Sequence, residues 1–482
     1  MALLRRHDAR SHLGPPAGSE RRVRRSRRIN YALLTGCFTV GFFHRFAPAT
    51  FAGAIGGQFG ASATQLGLLS AMHFWVYTAM QIPAGMAVDR WGTRICVALG
   101  SCVTAAGSLV LATAPTLTVA AAGPCLTGLG LSAAFVGLMK SNAYWFRAER
   151  YGLITGVTML LGNLGSVAAG LPAATLLRHC SWRSVLVAAA VAPAVLALGV
   201  LLLVRNRPGE VRDATPALLL RRPQAPPSGG WRALRSILAA RRMWPLFWCT
   251  VGTNGTFYAF SALWGGPLLT DGFGLSDVAA SWYTTASLAV YGVGSLLTGL
   301  LSDRTGRRKP FVVAASAAAV LGWGGLAWTP WSPGWSALAL YGLVGLAAAQ
   351  VTVSFAALKE SVDSRGAATA LSVVNSGVFL ASALIQPLFG RLLDAFADDP
   401  SHRTLGDYRL ALLLPLAVSL LGLPAAFRMR ETYGVPLRHE AAATPDGTRA
   451  RCAASDHGAD SPAGPGPAGA RGAGAHPARG GS

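Results

Sequence analysis

Charge is what this sequence has least of. Only 13% of its 482 residues are charged, about half the share usual in a soluble chain, while 52% are hydrophobic. Acids are scarcer still, with 20 Asp and Glu against 42 Lys and Arg. None of the acids lies well inside an apolar run; Asp89, Glu149, Asp303, Glu360 and Asp363 fall at run ends. Paired carboxylates at depth are thereby excluded, and no nucleophile stands with a base, so enzyme chemistry is not expected. The seven Cys form no CxxC pair and are odd in number, which argues against a disulfide framework and a metal site. There is no G-x-x-x-x-G-K-[ST] loop, so ATP drive from this chain is not expected. No cofactor is expected.

What is present is apolar sequence in blocks of about 20 residues, the length that crosses ~30 Å of hydrocarbon as a helix. Twelve such spans can be drawn, at 31–52, 65–88, 95–114, 117–142, 152–176, 184–204, 243–268, 279–301, 311–329, 334–358, 367–390 and 408–428. The chain reads as an all-α membrane protein with two six-helix halves, 30–204 and 243–430. An Arg-rich tail, 1–29, and an Ala/Gly/Pro/Arg tail, 431–482, are expected to be disordered. Residues 205–242, with "RRPQAPPSGG" inside, read as a basic cytoplasmic linker.

The net charge of +22 is unevenly placed. Nine Arg precede residue 29 and nine lie from Arg205 to Arg242. The alternate loops 53–64, 115–116, 268–279 and 330–335 hold no Lys or Arg, with Arg178, Arg183, Arg391 and Arg403 as exceptions. This asymmetry predicts both termini in the cytoplasm of a multi-pass cell-membrane protein. The Arg-rich segments are expected to meet anionic lipid at that face rather than nucleic acid.

An internal repeat joins the halves. "GMAVDRWGTR" (85–94) follows span two and "GLLSDRTGRR" (299–308) follows span eight, both reading G-x-x-x-D-R-x-G-x-R. Two six-helix halves in one orientation are a parallel duplicated transporter architecture. At this point the sequence resembles the major facilitator superfamily over about 30–430. The resemblance implies that Gly85 and Gly299 allow close helix contact. It also implies that Asp89, Arg90, Gly92 and Arg94, with Asp303, Arg304, Gly306 and Arg308, belong to a charge latch between the halves. Two departures stand out. The family's R-x-x-x-G of span four has Pro124 ahead of Gly128, and the G-P pair of the drug exporters' span five is missing from "GNLGSVAAGLP". "MQIPAGMAVDR", "LMKSNAYWF" and "NSGVFLASALIQPLFG" are more similar to the branch that moves small organic anions, amino acids or peptides.

Within span one, "GFFHRFAPAT" puts His44 and Arg45 near mid-depth, where a charge costs several kcal/mol and faces a cavity or partner. With no buried carboxylate to meet it, Arg45 either holds an anionic group of a substrate, or bonds helix carbonyls or rises toward the outer interface. Pro48 removes the donor for the His44 carbonyl, a kink or an acceptor. Polar residues recur at helical spacing in Ser70, His73, Tyr77 and Gln81 of span two, in Thr250, Asn254, Tyr258 and Ser261 of span seven, and in Ser372, Asn375, Ser382 and Gln386 of span eleven. Such stripes line a path or join helices. Lys140 and Lys359 close spans four and ten, and Lys140 can reach a cavity from below or snorkel. The candidate substrate residues are therefore Arg45, His44, His73, Tyr77, Lys140, Asn254, Tyr258 and Asn375. His44 and His73 are candidate proton carriers.

These readings predict a monomeric secondary transporter for a small anionic or zwitterionic solute, with proton symport as an option. The alternatives are a non-transporting receptor or scaffold on the same fold and, among transporters, an exporter of drug-like or siderophore-like compounds.

Overall fold

A computed structural model describes residues 17–146, 148–207, 231–362, 367–397 and 403–433. All regular structure among them is helical, and it follows the twelve spans in order. Span one is Ala17–Phe59, and Ala63–Thr113 carries spans two and three. Span four is Leu117–Trp145, and span five is Ala148–Ala169 continued by Leu171–Leu176. Span six is Trp182–Leu203. Span seven runs from Met243–Thr250 through Thr256–Ala259 to Pro267–Phe273, with π-helical turns between. Spans eight and nine are Asp277–Thr305 and Lys309–Trp328. Span ten is Trp335–Ala348 with Val351–Ser361, span eleven is Ala367–Phe396, and span twelve is Leu405–Ala411 with Leu413–Arg428.

Nine of the described helices are long and apolar enough to cross a membrane. One of them, Ala63–Thr113, has 51 residues, or ~77 Å at 1.5 Å per residue, more than twice the hydrocarbon thickness. It is broken at Gly92, whose φ of 84° and ψ of 161° are non-helical, so it crosses twice. Spans one and seven complete a set consistent with twelve crossings; one carries the polar His44 and Arg45, and the other is cut into short pieces. The surface agrees with lipid as solvent. Val191, Val195, Leu198 and Leu202 of span six are exposed. Trp282, Trp328 and Trp335, exposed at one end of the bundle, and Trp91 at the other, stand where interfacial aromatics collect.

One expectation needs correction. The segment 17–29 is helical rather than disordered: it is rich in Arg, a good helix former, and runs unbroken into span one. Asn30 then ties that helix to the end of span six, donating to the Arg205 carbonyl (2.7 Å) and accepting from the Arg205 N–H (3.1 Å). The linker contains a short helix, Trp231–Ala239. Arg183 and Arg403, exceptions to the loop-charge pattern, have local roles. Arg183 caps the end of span three by donating to the carbonyls of Ala112 (3.0 Å) and Ala114 (2.8 Å), and Arg403 pairs with Asp394 at 3.3 Å. Residues 1–16, the 208–230 part of the linker and the tail beyond 433 lie outside the described residues.

The repeated loops mark one end of the bundle, called here the motif end. Hydrogen bonds between described residues of the two halves are found from mid-depth to the opposite, far end. Asn163 donates to the Leu288 carbonyl (2.7 Å), and the Thr285 hydroxyl accepts from the Leu171 N–H (2.9 Å). At the far end Asp394 of span eleven caps the start of span two. It accepts from the N–H groups of Ala63 (3.0 Å) and Thr64 (2.8 Å) and from the Thr64 hydroxyl (2.6 Å). Gly67 and Gly390 make this approach close. A Cβ at Gly67 would stand 2.6 Å from the Gln386 carbonyl oxygen, and one at Gly390 2.3 Å from that of Ala63.

Candidate functional site

Span one has helical spacing through 41–50, so residues one turn apart share a face. Phe42 and Phe46 therefore flank Arg45 toward the junction of the halves. The Arg45 guanidinium carbon lies 5.0 Å from the Phe42 ring, 5.0 Å from Tyr77 of span two and 4.7 Å from Phe379 of span eleven. Arg45 is 5% exposed, and its Nε has no hydrogen-bond partner. Among the described residues no carboxylate pairs with it. The rings continue into the second half. Phe379 packs on Tyr77 (4.7 Å), Phe74 (6.1 Å) and Tyr258 (5.8 Å), and Phe46 meets Tyr258 at 5.8 Å. The Tyr258 and Tyr291 hydroxyls are 2.8 Å apart. The result is an aromatic cage around one cation, built from spans one, two, seven and eleven of both halves.

Three of the sequence candidates, Arg45, Tyr77 and Tyr258, meet in this cage. His44 and His73 adjoin it but turn into the first half. His44 Nδ1 bonds the Val40 carbonyl (2.9 Å), and His73 Nδ1 bonds the Thr127 hydroxyl (3.2 Å) while its ring stacks on Tyr77 at 6.1 Å.

Asn254 is not brought to the cage. Its Nδ2 donates to the Ala348 carbonyl (2.8 Å) and joins spans seven and ten. The reason is the π-helical turns Val251–Gly255 and Phe260–Trp264, visible in the Gly265 N–H reaching back five residues to Phe260 (2.8 Å). They widen the turn and rotate the stripe that helical spacing predicted. Ser382 and Gln386 likewise join helices, donating to the carbonyls of Gly255 (2.9 Å) and Ala259 (3.3 Å). Asn375 is half-buried on span eleven, one turn from Phe379.

Lys140 does not reach the cage either. Its ammonium bonds Asp89 (2.7 Å) and the Val88 carbonyl (2.9 Å) at the motif end. The described motif contacts run within each half. Arg94 Nε donates to the Leu201 carbonyl (2.6 Å). Arg308 bridges Asp303 (2.5 Å) and Glu360 (3.0 Å). Burial there would lower the Arg308 pKa, but hydrogen bonds to Glu360 and Asp303 outweigh it and hold the pKa above its usual value. Arg90 and Arg304 are exposed. The motif glycines that matter are Gly92 and Gly306, at φ 84° and 63°, values favouring glycine. Gly85 meets open space, and Gly299 has only ordinary contact with Thr352 at 3.6 Å, so neither makes the close approach expected of it.

Sequence reasoning missed Phe42, Phe46, Phe379 and Tyr291. The available signal was the one-turn spacing of Phe42 and Phe46 about Arg45.

Two duplicated halves meeting around a cage define a membrane transporter fold, and the comparisons agree. The Major Facilitator Superfamily model matches residues 33–266 and 256–455, and the chain belongs to that family. It is 27% identical over 168 residues to the uncharacterized transporter YybO of Bacillus subtilis (strain 168), covering 34% of this chain and 39% of that protein. It is 24% identical over 298 residues to a putative tartrate transporter of Agrobacterium vitis, covering 59% and 68%. It is 20% identical over 292 residues to the probable sulfoacetate transporter SauU of Cupriavidus necator, covering 59% and 66%. Among solved structures, an inward-facing bacterial homolog of the human lysosomal transporter Spinster matches with a TM-score of 0.64 and 19% identity over 85% of this chain and 96% of that one. The D-xylose–proton symporter matches with 0.66 and 14% identity over 84% and 99%.

Proposed function

We propose that this protein is a secondary active transporter that moves a small organic anion across the cell membrane by alternating access. The motif end and both termini face the cytoplasm. The observation that carries the reading is Arg45, a buried guanidinium where the halves meet, ringed by Phe42, Tyr77 and Phe379 and lacking a carboxylate partner among the described residues. A planar guanidinium holds a carboxylate or sulfonate by two parallel hydrogen bonds. The aromatic wall excludes water and strengthens that attraction. A cation would meet Arg45 with nothing to offset it. The names of two relatives, a tartrate and a sulfoacetate transporter, agree with an anionic cargo. The far-end contacts between the halves fit a state closed on that side, and rocking must break them for the cage to open outward.

The test is a thermal-shift screen of purified full-length protein with tartrate, sulfoacetate, other mono- and dicarboxylates, and neutral and cationic analogues. A ligand that binds the folded state raises its apparent stability. Stabilisation by anions that vanishes in Arg45→Ala supports the reading. Stabilisation by cations, or by anions equally in both proteins, contradicts it.

A further inference from the structure

At the motif end of the second half, a cleft with about 550 Å³ of room opens between the start of span seven, the end of span ten and the segment after span twelve. That is the size of a small-molecule site. Its lining holds four arginines, Arg241, Arg242, Arg428 and Arg430, against two glutamates, Glu360 and Glu431. The arginines come in two pairs, and a buried methionine anchors each: Met243 follows Arg242, and Met429 lies between Arg428 and Arg430. Both glutamates are already engaged. Glu360 accepts from the Arg308 guanidinium (3.0 Å) and from the Thr432 hydroxyl. Glu431 accepts from the N–H groups of Arg308 (2.7 Å) and Lys309 (3.1 Å), which ties the segment after span twelve to the start of span nine. Among the described residues, none of the four guanidinium groups pairs with a carboxylate. Topology asks only for arginines somewhere in the loops of this face. It does not ask four of them to converge on one hollow, where they repel one another.

We infer that this cleft is a binding site for a ligand carrying two phosphate groups, one for each arginine pair. A guanidinium presents its N–H donors in a planar fork that meets phosphate oxygens two at a time. A carboxylate offers two oxygens and a single charge, too little for four such forks. A phosphate offers more acceptor oxygens. Two phosphodiesters also carry the two negative charges that four arginines and two glutamates leave uncancelled. The remaining room takes the body that joins them. Soluble diphosphate and the headgroup of a two-phosphate lipid share this chemistry. Bound in the cleft, the ligand joins the start of span seven to the segment that Glu431 holds against span nine. The site lies apart from the Arg45 cage and does not rest on the function proposed above.

The experiment presents two probes to the purified full-length chain. Inorganic pyrophosphate is titrated calorimetrically into protein in detergent. Cardiolipin, a two-phosphate lipid, is counted on the chain by native mass spectrometry after release from nanodiscs of phosphatidylcholine and cardiolipin. At least one probe should bind saturably, one per chain, and Arg242→Gln/Arg430→Gln should weaken it at least about tenfold. Arg21→Gln/Arg28→Gln, which removes two exposed arginines at the same end of the first half, should leave binding unchanged. Pyrophosphate binding assigns the site to a soluble ligand, and cardiolipin retention alone assigns it to a lipid. Arg242→Lys/Arg430→Lys keeps the charge but loses the fork, and should weaken binding severalfold; it also serves if the glutamine variant does not fold. Failure of both probes, equal loss in the two glutamine variants, or wild-type affinity in the lysine variant would overturn the site.

Discussion

Arg45 is buried among three rings, and the balance of terms there decides its role. Each cation–π contact contributes about 0.5–2 kcal/mol, while an unpaired buried charge costs several kcal/mol. The cage offsets part of the cost, and on the function proposed above an anion relieves the rest. Arg45→Lys keeps the charge but loses the planar fork, and should weaken anion binding at least about tenfold in calorimetric titration. Phe379→Leu keeps apolar volume but removes one ring face, and should weaken it by roughly threefold to tenfold with membrane insertion unchanged. Unaltered affinity in Phe379→Leu would make the ring a packing residue. Arg45, Tyr77 and Tyr258 were legible because a charge or hydroxyl stands out in an apolar run. Phe42, Phe46 and Phe379 were not, since a phenylalanine facing lipid and one facing a cage look alike in sequence. Lys140 was misplaced because depth along a helix does not reveal which neighbour the side chain meets.

Among the elements, the turn after span two shows what its motif requires. Gly92 adopts a backbone conformation almost confined to glycine, and a Cβ there would stand 2.8 Å from the Asn206 amide. Gly92→Ala should therefore lower stability by about 1–3 kcal/mol, read as a fall in the unfolding temperature in detergent. Gly85→Ala, with open space at the same site, should be nearly silent; an equal loss in both would contradict the backbone argument. The order and rough limits of the spans were legible, because their length and apolarity are set by the bilayer. The breaks inside them were less so. Pro172 advertises the interruption of span five. The π-helical turns of span seven, which decide where Asn254 points, depend on packing against spans ten and eleven, which no local pattern encodes.

For the whole molecule, the alternating-access reading proposed above makes the far-end contacts the ones that set the resting balance between states. Asp394 caps span two across the junction of the halves, and a cap of this kind contributes about 0.5–2 kcal/mol. Asp394→Asn should raise the far-end-open population severalfold, since 1.4 kcal/mol is a factor of ten in an equilibrium constant. Spin labels at the far ends of spans two and eleven would show it as a longer-distance component; an unchanged distribution would mean the cap does not gate. Gly390→Val should act in the same direction, because its side chain collides with the start of span two. The twofold architecture was legible in the repeated loops. The placement of the inter-half contacts was not, because Asp394 and Thr64 are 330 residues apart. The central claim is that both halves rock about an anion held by Arg45. Its most direct test is uptake of radiolabelled tartrate and a panel of small organic anions into proteoliposomes holding wild-type protein or Arg45→Ala. The account predicts saturable uptake of at least one anion by wild type and its near abolition in Arg45→Ala at equal incorporation. Undiminished uptake in Arg45→Ala, or saturable uptake of cations alone, would contradict it.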